Sequence, residues 1–339
     1  LVELPKESGK LVIKALEYAM AELQASYDTE RDVSMPELEY CFIVNPAAKG
    51  GFSGRNWPKL QAQLRAANIA HCHYISERKG HSRDLARDAL QAGYKNLVAV
   101  GGDGTANEVL NGLFAASSLN ATEVSLSIIP WGTGNDWASY YGFSPRLEDC
   151  VQLLQAGSNT LQDIGKANFT DSAGNHRTHY FLNCAGTGFD SYLLAQMGAS
   201  RGSRSRYFLY VLKCLRKFRA TSLQLDIDAE SLEYSALMLE ICLGKYAGAG
   251  MQFAPAAVAD DGLFEVLLIE DLSIPQLLGS LFYLYNGRIN EHSAVRHWQC
   301  RSISVATTAE QHFHCDGELV GQLPIQIGIL PQALRVITP

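Results

Sequence analysis

Asn96-Leu97-Val98-Ala99-Val100 runs directly into Gly101-Gly102-Asp103-Gly104-Thr105-Ala106-Asn107, and Glu108-Val109-Leu110-Asn111-Gly112-Leu113-Phe114 follows with helical spacing. The order is strand, glycine turn, helix. It aims unsatisfied backbone N–H groups and the positive end of a helix at one point, which suits a phosphate. Glycine lets the backbone approach the anion with no Cβ in the way. Asp103 adds a carboxylate there, sensible chemistry if a divalent cation accompanies the phosphate. A plain strand-to-helix turn also favours glycine, so this loop alone does not decide. It is not a Walker A loop, because Gly9-Lys10, Gly165-Lys166 and Gly244-Lys245 are followed by Leu, Ala and Tyr. Nor is it a dinucleotide fingerprint, because Asn107 stands where a third glycine belongs.

Two further transitions share this chemistry. The apolar run Cys41-Phe42-Ile43-Val44 enters Asn45-Pro46-Ala47-Ala48-Lys49-Gly50-Gly51, and Ser125-Leu126-Ser127-Ile128-Ile129 enters Pro130-Trp131-Gly132-Thr133-Gly134-Asn135-Asp136. Three such loops point to one crevice at the carboxyl ends of parallel strands, where open α/β sheets bind ligands. Helical stretches at Trp57–Ala67, Gly80–Gly93, Thr105–Ala116 and Arg146–Ala156 alternate with these strands. After Thr160 the pattern becomes alternating, as in His179–Asn183, Ser222–Ile227, Ala236–Leu243 and Phe264–Ile269, which reads as antiparallel sheet.

A net charge of −7 excludes a general nucleic-acid binder, and 47% hydrophobic residues suffice for a large core. No apolar run is long enough to cross a membrane as a helix. Eight scattered cysteines without a Cys-x-x-Cys pair read as thiols of a reducing, cytoplasmic compartment. Residues 1–38 carry an amphipathic helical stripe at Val12, Leu16, Ala19, Met20 and Leu23, and show no signal-peptide pattern. Between Asp190 and Asp226 there is no acid, whereas Arg201, Arg204, Arg206, Lys213, Arg216, Lys217 and Arg219 lie there among apolar residues. That stretch reads either as the solvated face of a helix or as a dock for anionic lipid, placing the protein peripherally at a membrane.

The three loops, in order, resemble the catalytic domain of the diacylglycerol kinase family, which includes sphingosine and ceramide kinases and bacterial soluble lipid kinases. Gly186-Thr187-Gly188-Phe189-Asp190, Pro255 to Phe264 and Asp316-Gly317-Glu318 continue the resemblance. It departs at Trp131, where bacterial members commonly have leucine, and at Gly134, where they have alanine. The resemblance implies an α/β fold of two domains. An ATP-binding parallel α/β domain over 39–165 is followed by a β-sandwich lipid-substrate domain over 166–321, and residues 322–339 return to the first. It implies an ATP- and Mg²⁺-dependent kinase acting on a lipid hydroxyl. Nucleotide contacts fall on Asn45, Ser76, Gly101, Gly102, Asp103, Gly104, Thr105, Ala106, Asn107 and Thr133. Glu318 takes the position of general base in the turn with Asp316, and Asp103 competes for that role. Asp261, with the carbonyls of Val258 and Leu263, takes the position of a structural Mg²⁺ site, although an ordinary Asp-Gly turn accounts for the same residues. A soluble-substrate kinase of related fold shares Gly-Gly-Asp-Gly-Thr. A non-catalytic binding protein on this scaffold would be expected to lack Asp103 or Glu318, and both are present.

Overall fold

A computed structural model describes residues 40–115, 123–197 and 204–339. The helical stripe at Val12–Leu23 lies outside the described residues, as does Arg201. Strands β1 (Tyr40–Val44), β2 (His71–Ile75), β3 (Asn96–Gly101) and β4 (Ser125–Pro130) are parallel, in the spatial order β4-β3-β1-β2. Every residue of β1 and β4 is buried, and all of β3 after Asn96, which is why these strands read as unbroken apolar runs. Helices α1 (Ala48–Ala66), α2 (His81–Gln91), α3 (Asp103–Ala115), α4 (Asp136–Tyr141) and α5 (Leu147–Ala156) alternate with them. Trp57, Leu60 and Leu64 of α1, and Leu85, Ala86, Ala89 and Leu90 of α2, supply the apolar stripes that reach the core. Helix α1 starts earlier than its apolar spacing suggests. Lys49, Gly50 and Gly51 take φ of 49°, 63° and 84°, a left-handed kink that two glycines permit, and the helix then runs on.

Strands β5 (Ser158–Thr170), β6 (His176–Phe181) and β7 (Cys184–Gly188) open the second lobe, followed by helices α6 (Phe189–Met197) and α7 (Arg204–Lys217). Then come β8 (Thr221–Ile227), β9 (Glu230–Cys242), β10 (Tyr246–Ala247), β11 (Met251–Gln252), β12 (Phe264–Glu270) and helix α8 (Ile274–Tyr285). The chain ends with β13 (Val295–Cys300), β14 (Ser302–Ala306), β15 (His312–Cys315), β16 (Glu318–Gln322) and β17 (Ile325–Thr338). Pairing within this lobe is antiparallel. On β8, Leu223, Leu225 and Ile227 enter the core while Ser222, Gln224 and Asp226 face out, the two-residue period that the sequence displays. β12 is covered on both sides: Phe264, Val266 and Leu268 join one apolar cluster, Leu267 and Ile269 another.

The end of the chain returns to the first lobe. β17 pairs antiparallel with β5 from Ile325 to Thr338, and at Arg335 and Val336 it also pairs parallel with β4. A register shift between Leu330 and Leu334 bends it on the way, with Gln332 at φ 47° donating its N–H to Asp163 Oδ1 at 2.6 Å. The division placed at 165/166 therefore falls inside β5, a strand common to both lobes. Seven of the eight cysteines are buried, and Cys72 is half-buried. Burial pushes the Cys150 and Cys300 thiols up to about 12, too high for a reactive thiolate. No described helix is long and apolar enough to cross a membrane.

Candidate active site

Asn45, Ser76, Gly101 with Gly102, and Thr133 stand at the carboxyl ends of β1, β2, β3 and β4, so the fold brings the loops into one crevice. Three contacts join them. Asn45 Nδ2 donates to Thr105 Oγ1 at 3.1 Å. Phe52 stands edge-on to Trp131, ring centroids 5.9 Å apart. The Gly102 and Gly132 backbones touch: a Cβ on Gly102 would lie 2.8 Å from Gly132 Cα, so neither position has room for a side chain. Thr105 N and Ala106 N turn back onto Gly102 O at 2.9 and 3.1 Å. Their amides are thus engaged within the first turn, and the amides before them form the front of the helix. Ser76 is buried with its N–H on Val44 O at 2.8 Å, whereas Thr133 is exposed at the mouth.

Asp103 knots the first loop to the second. Its Oδ2 accepts from Asn135 N at 2.6 Å and its Oδ1 from Trp137 N at 3.2 Å. Burial, and then the charge of Asp136, pushes its carboxyl up to about 6, against backbone amides, that of Trp137 foremost, that favour ionisation. Asp136 in turn accepts from Ala249 N at 2.9 Å and Gly250 N at 2.8 Å, which fastens the second loop to the β10–β11 hairpin of the other lobe. Activity that needs the Asp103 carboxylate should fall as pH drops through about 6. The stability contribution runs the other way. A carboxyl raised on folding favours the fold while protonated, so its contribution is complete below 3.8 and lost as pH rises through about 6. Asp103→Asn, unable to ionise, is expected to abolish turnover at every pH while the chain stays folded; rate–pH profiles with circular dichroism check this.

Asp316 and Glu318 flank the tight turn between β15 and β16, where Asp316 and Gly317 have φ of 48° and 76°, the geometry an Asp-Gly hairpin favours. They do different work. Asp316 is buried, and its carboxylate accepts from Asn107 Nδ2 (2.8 Å), Leu182 N (2.8 Å), Asn183 N (2.9 Å) and Cys184 N (3.0 Å). Four donors saturate its lone pairs. Those four bonds make Asp316 a clamp between the lobes. Asn107 shifts likewise: its amide donates to Asp316 and to Tyr180 O at 3.0 Å, and its Oδ1 accepts from His179 Nε2 at 2.9 Å. One turn on, Asn111 bonds both the N–H and the C=O of Tyr180. Burial lowers the His179 pKa to about 4, which keeps the imidazole neutral in this network. The Asn107 side chain is therefore engaged with β6 and with Asp316.

Glu318 points the other way, into the crevice. A Cβ placed on Gly104 would lie 3.2 Å from Glu318 Oε1, so a carboxylate of the second lobe stands directly over the glycine turn of the first. It also forms an ion pair with Lys79, an exposed side chain on the loop after β2. Glu108 of α3 holds that loop, accepting from Gly80 N at 2.7 Å and Ser82 N at 3.1 Å. Lys79 belongs to no motif, and only the fold brings it beside Glu318 and the front of α3.

Residues 39–167 match the diacylglycerol kinase catalytic domain, and residues 184–338 match the YegS C-terminal NAD kinase beta sandwich-like domain. The chain belongs to the diacylglycerol kinase catalytic-domain family. It is 28% identical over 300 residues to a diacylglycerol kinase of Staphylococcus saprophyticus, covering 88% of this chain and 94% of the relative. With a diacylglycerol kinase of Staphylococcus haemolyticus the identity is 28% over 304 residues, 88% and 87% of the two chains. A diacylglycerol kinase crystal structure from Bacillus anthracis superposes with a TM-score of 0.66 at 22% identity, over 89% of this chain and 97% of that one, so the fold is shared. As a kinase of this family the protein is a phosphotransferase that uses ATP. Its glycine-loop helix and its second lobe are held together by Asn107, Asn111, Asp136 and Asp316, so the crevice between them has fixed walls.

The turn at 258–263 lies apart from this crevice. Asp261 is exposed, with Oδ1 accepting from Leu263 N at 3.0 Å. Gly262 N donates to Asp163 Oδ2 at 2.7 Å, and Ala259 N to Tyr140 Oη at 3.0 Å. Burial raises the Asp163 pKa, and the charges of Asp261 and Asp260 add to the rise. A hard cation on Asp261 would relieve that crowding, so the residues present fit Mg²⁺.

Proposed function

We propose that the protein transfers the γ-phosphoryl group of ATP to the hydroxyl of a lipid, of diacylglycerol-like or sphingoid type, with Mg²⁺. The observation that carries this reading is Glu318 of one lobe standing over Gly104 of the other. A phosphate at the front of α3 would then lie beside a carboxylate able to accept a proton. The front amides of α3 and its dipole hold the phosphates, and Lys79 adds positive charge at the rim. The lipid oxygen bonds to the γ-phosphorus as the bond to the bridging oxygen breaks. The bonding electrons leave with ADP, and the hydroxyl proton passes to Glu318. Asp103, in the negative field of Asp136, would hold Mg²⁺, which when bound neutralises phosphate charge. With both oxygens on backbone amides, Asp103 is better placed to organise the two glycine loops than to take the proton. The name of the Staphylococcus relatives supports a glycerolipid acceptor. An ATP-consumption screen over diacylglycerol, monoacylglycerol, phosphatidylglycerol, sphingosine and ceramide in mixed micelles tests the reading. Turnover with at least one lipid is expected, and turnover confined to NAD or a sugar phosphate would replace it with the soluble-kinase alternative.

Mg²⁺ on Asp261, with the carbonyls of Val258 and Leu263, would staple the 258–263 turn. The melting temperature should then rise with Mg²⁺ in the parent and not in Asp261→Ala. Equal responses would remove the structural metal.

Helix α7 supports contact with a membrane surface. Lys213, Arg216 and Lys217 are exposed on it, while Cys214 is buried. Basic residues near an anionic surface contribute about 1 kcal/mol each. Lys213→Glu with Lys217→Glu should weaken binding to anionic vesicles and flatten the salt dependence of activity on them. Activity on a monomeric short-chain lipid should hold. Equal loss on both substrates would assign the helix to folding or to the crevice.

A further inference from the structure

Behind the turn that carries Glu318, three ionisable side chains from three elements converge. They are Asp190 in the first turn of α6, Glu240 of β9 and His314 of β15. His314 Nε2 contacts Asp190 Oδ2 directly and lies 3.5 Å from Glu240 Oε1, and one ligand atom from each residue falls within 4.8 Å of the others. Glu240 and His314 are only 3% and 4% exposed. Glu240 Oε2 and Asp190 Oδ1 are buried with no hydrogen-bond partner. Gly186 makes the room: a Cβ there would lie 2.6 Å from Glu240 Oε2. Among the described residues, no other three His, Cys, Asp or Glu side chains come together closely enough to share an ion.

Two buried carboxylates in contact cannot both stay ionised unless a proton or a cation lies between them. A neutral imidazole and two carboxylates carry the charge that one divalent cation cancels. One nitrogen and several oxygens form a donor set for Zn²⁺ or Mn²⁺, whereas Mg²⁺ and Ca²⁺ favour oxygen alone. We propose that Asp190, Glu240 and His314 form a binding site for a divalent transition ion, distinct from the nucleotide crevice and coupled to the Glu318 turn.

The coupling runs through the imidazole. Without an ion a proton on Nε2 lies between the carboxylates, and Nδ1 faces Gly317 N at 3.4 Å. An ion takes the Nε2 lone pair, parts His314 from Asp190 and moves the ring proton to Nδ1. Gly317 N–H then loses its acceptor, one residue before Glu318.

The test uses the full chain after chelator treatment, without nucleotide, titrated with Co²⁺ as a spectroscopic probe and then with Zn²⁺, Mn²⁺ and Mg²⁺. One equivalent of Co²⁺ should bind with a visible absorption band. Zn²⁺ should displace it and Mg²⁺ should not. Glu240→Gln and His314→Gln should each weaken binding at least about tenfold, while Asp261→Asn keeps it. Nitrogen NMR should move the His314 proton from Nε2 to Nδ1 when Zn²⁺ is added. The proposal is overturned if the parent binds no stoichiometric Co²⁺ or Zn²⁺. It is equally overturned if folded Glu240→Gln binds as the parent does, or if the His314 proton stays on Nε2. The parent titration decides even where a variant fails to fold.

Discussion

Replacing Glu318 by Gln is expected to lower kcat by about 10²- to 10⁴-fold, some 3–5 kcal/mol of barrier, with nucleotide affinity unchanged. The amide keeps the size and one acceptor oxygen but cannot take up the hydroxyl proton. On the proposed reading the front of α3 holds the phosphates, and Glu318 contributes no backbone to it. Loss of the pair with Lys79 should matter little to stability, because Lys79 is exposed and such pairs contribute about 0–1 kcal/mol. Calorimetric nucleotide binding and initial rates on one accepted lipid are the paired measurements. A fall of less than about tenfold with intact binding would pass the base role to Asp103. Collapse of binding as well would make the β15–β16 turn part of the nucleotide site.

Asp316→Ala should be the most destabilising single change at the site. It strips the acceptor from Asn107 Nδ2 and from the amides of Leu182, Asn183 and Cys184, all buried. An unsatisfied buried donor costs about 1–3 kcal/mol, so several kcal/mol are at stake against a typical total of about 5–15. Urea unfolding should shift by about 4 kcal/mol or more on this count. Asp316→Asn, which keeps one acceptor oxygen, should lose less. An Ala variant as stable as the parent would mean that water or a shifted turn replaces the clamp. A stable but inactive Ala variant would support the catalytic role that its place beside Glu318 implies.

The two aspects of the molecule were unequally visible in its residues. Parallel strands with buried apolar runs, the glycine loops after them and the alternation of β8 are local patterns, set by side-chain period and turn chemistry, whereas β12, expected to alternate, is buried on both faces. The return of the chain end to the first lobe followed only from the family resemblance, and β17 makes it through a register shift between Leu330 and Leu334. What residue type cannot disclose is how a polar group spends its lone pairs. Asn107 sits in a phosphate-loop motif and Asp316 beside the proposed base, yet Asn107 is consumed by His179 and Tyr180, Asp316 by the amides of residues 182–184, and each by the other, 209 positions apart in the chain. Thr105 and Ala106 belong to the loop, but their amides close its first turn. Lys79, His179 and the Asp190–Glu240–His314 group have no local signature. Lys79 meets Glu318 from 239 positions away, His179 meets Asn107 from 72 and His314 meets Glu240 from 74, so only the assembled fold identifies them.

Phosphoryl transfer from ATP to a lipid hydroxyl, with Glu318 accepting the proton, is tested most directly by following γ-labelled phosphate in mixed micelles. The parent and Glu318→Gln proteins would be compared at equal nucleotide saturation. The expected result is label in the organic-extractable lipid for the parent, falling at least a hundredfold in the variant. Label released to water or to a soluble acceptor, or equal transfer by both proteins, would contradict it.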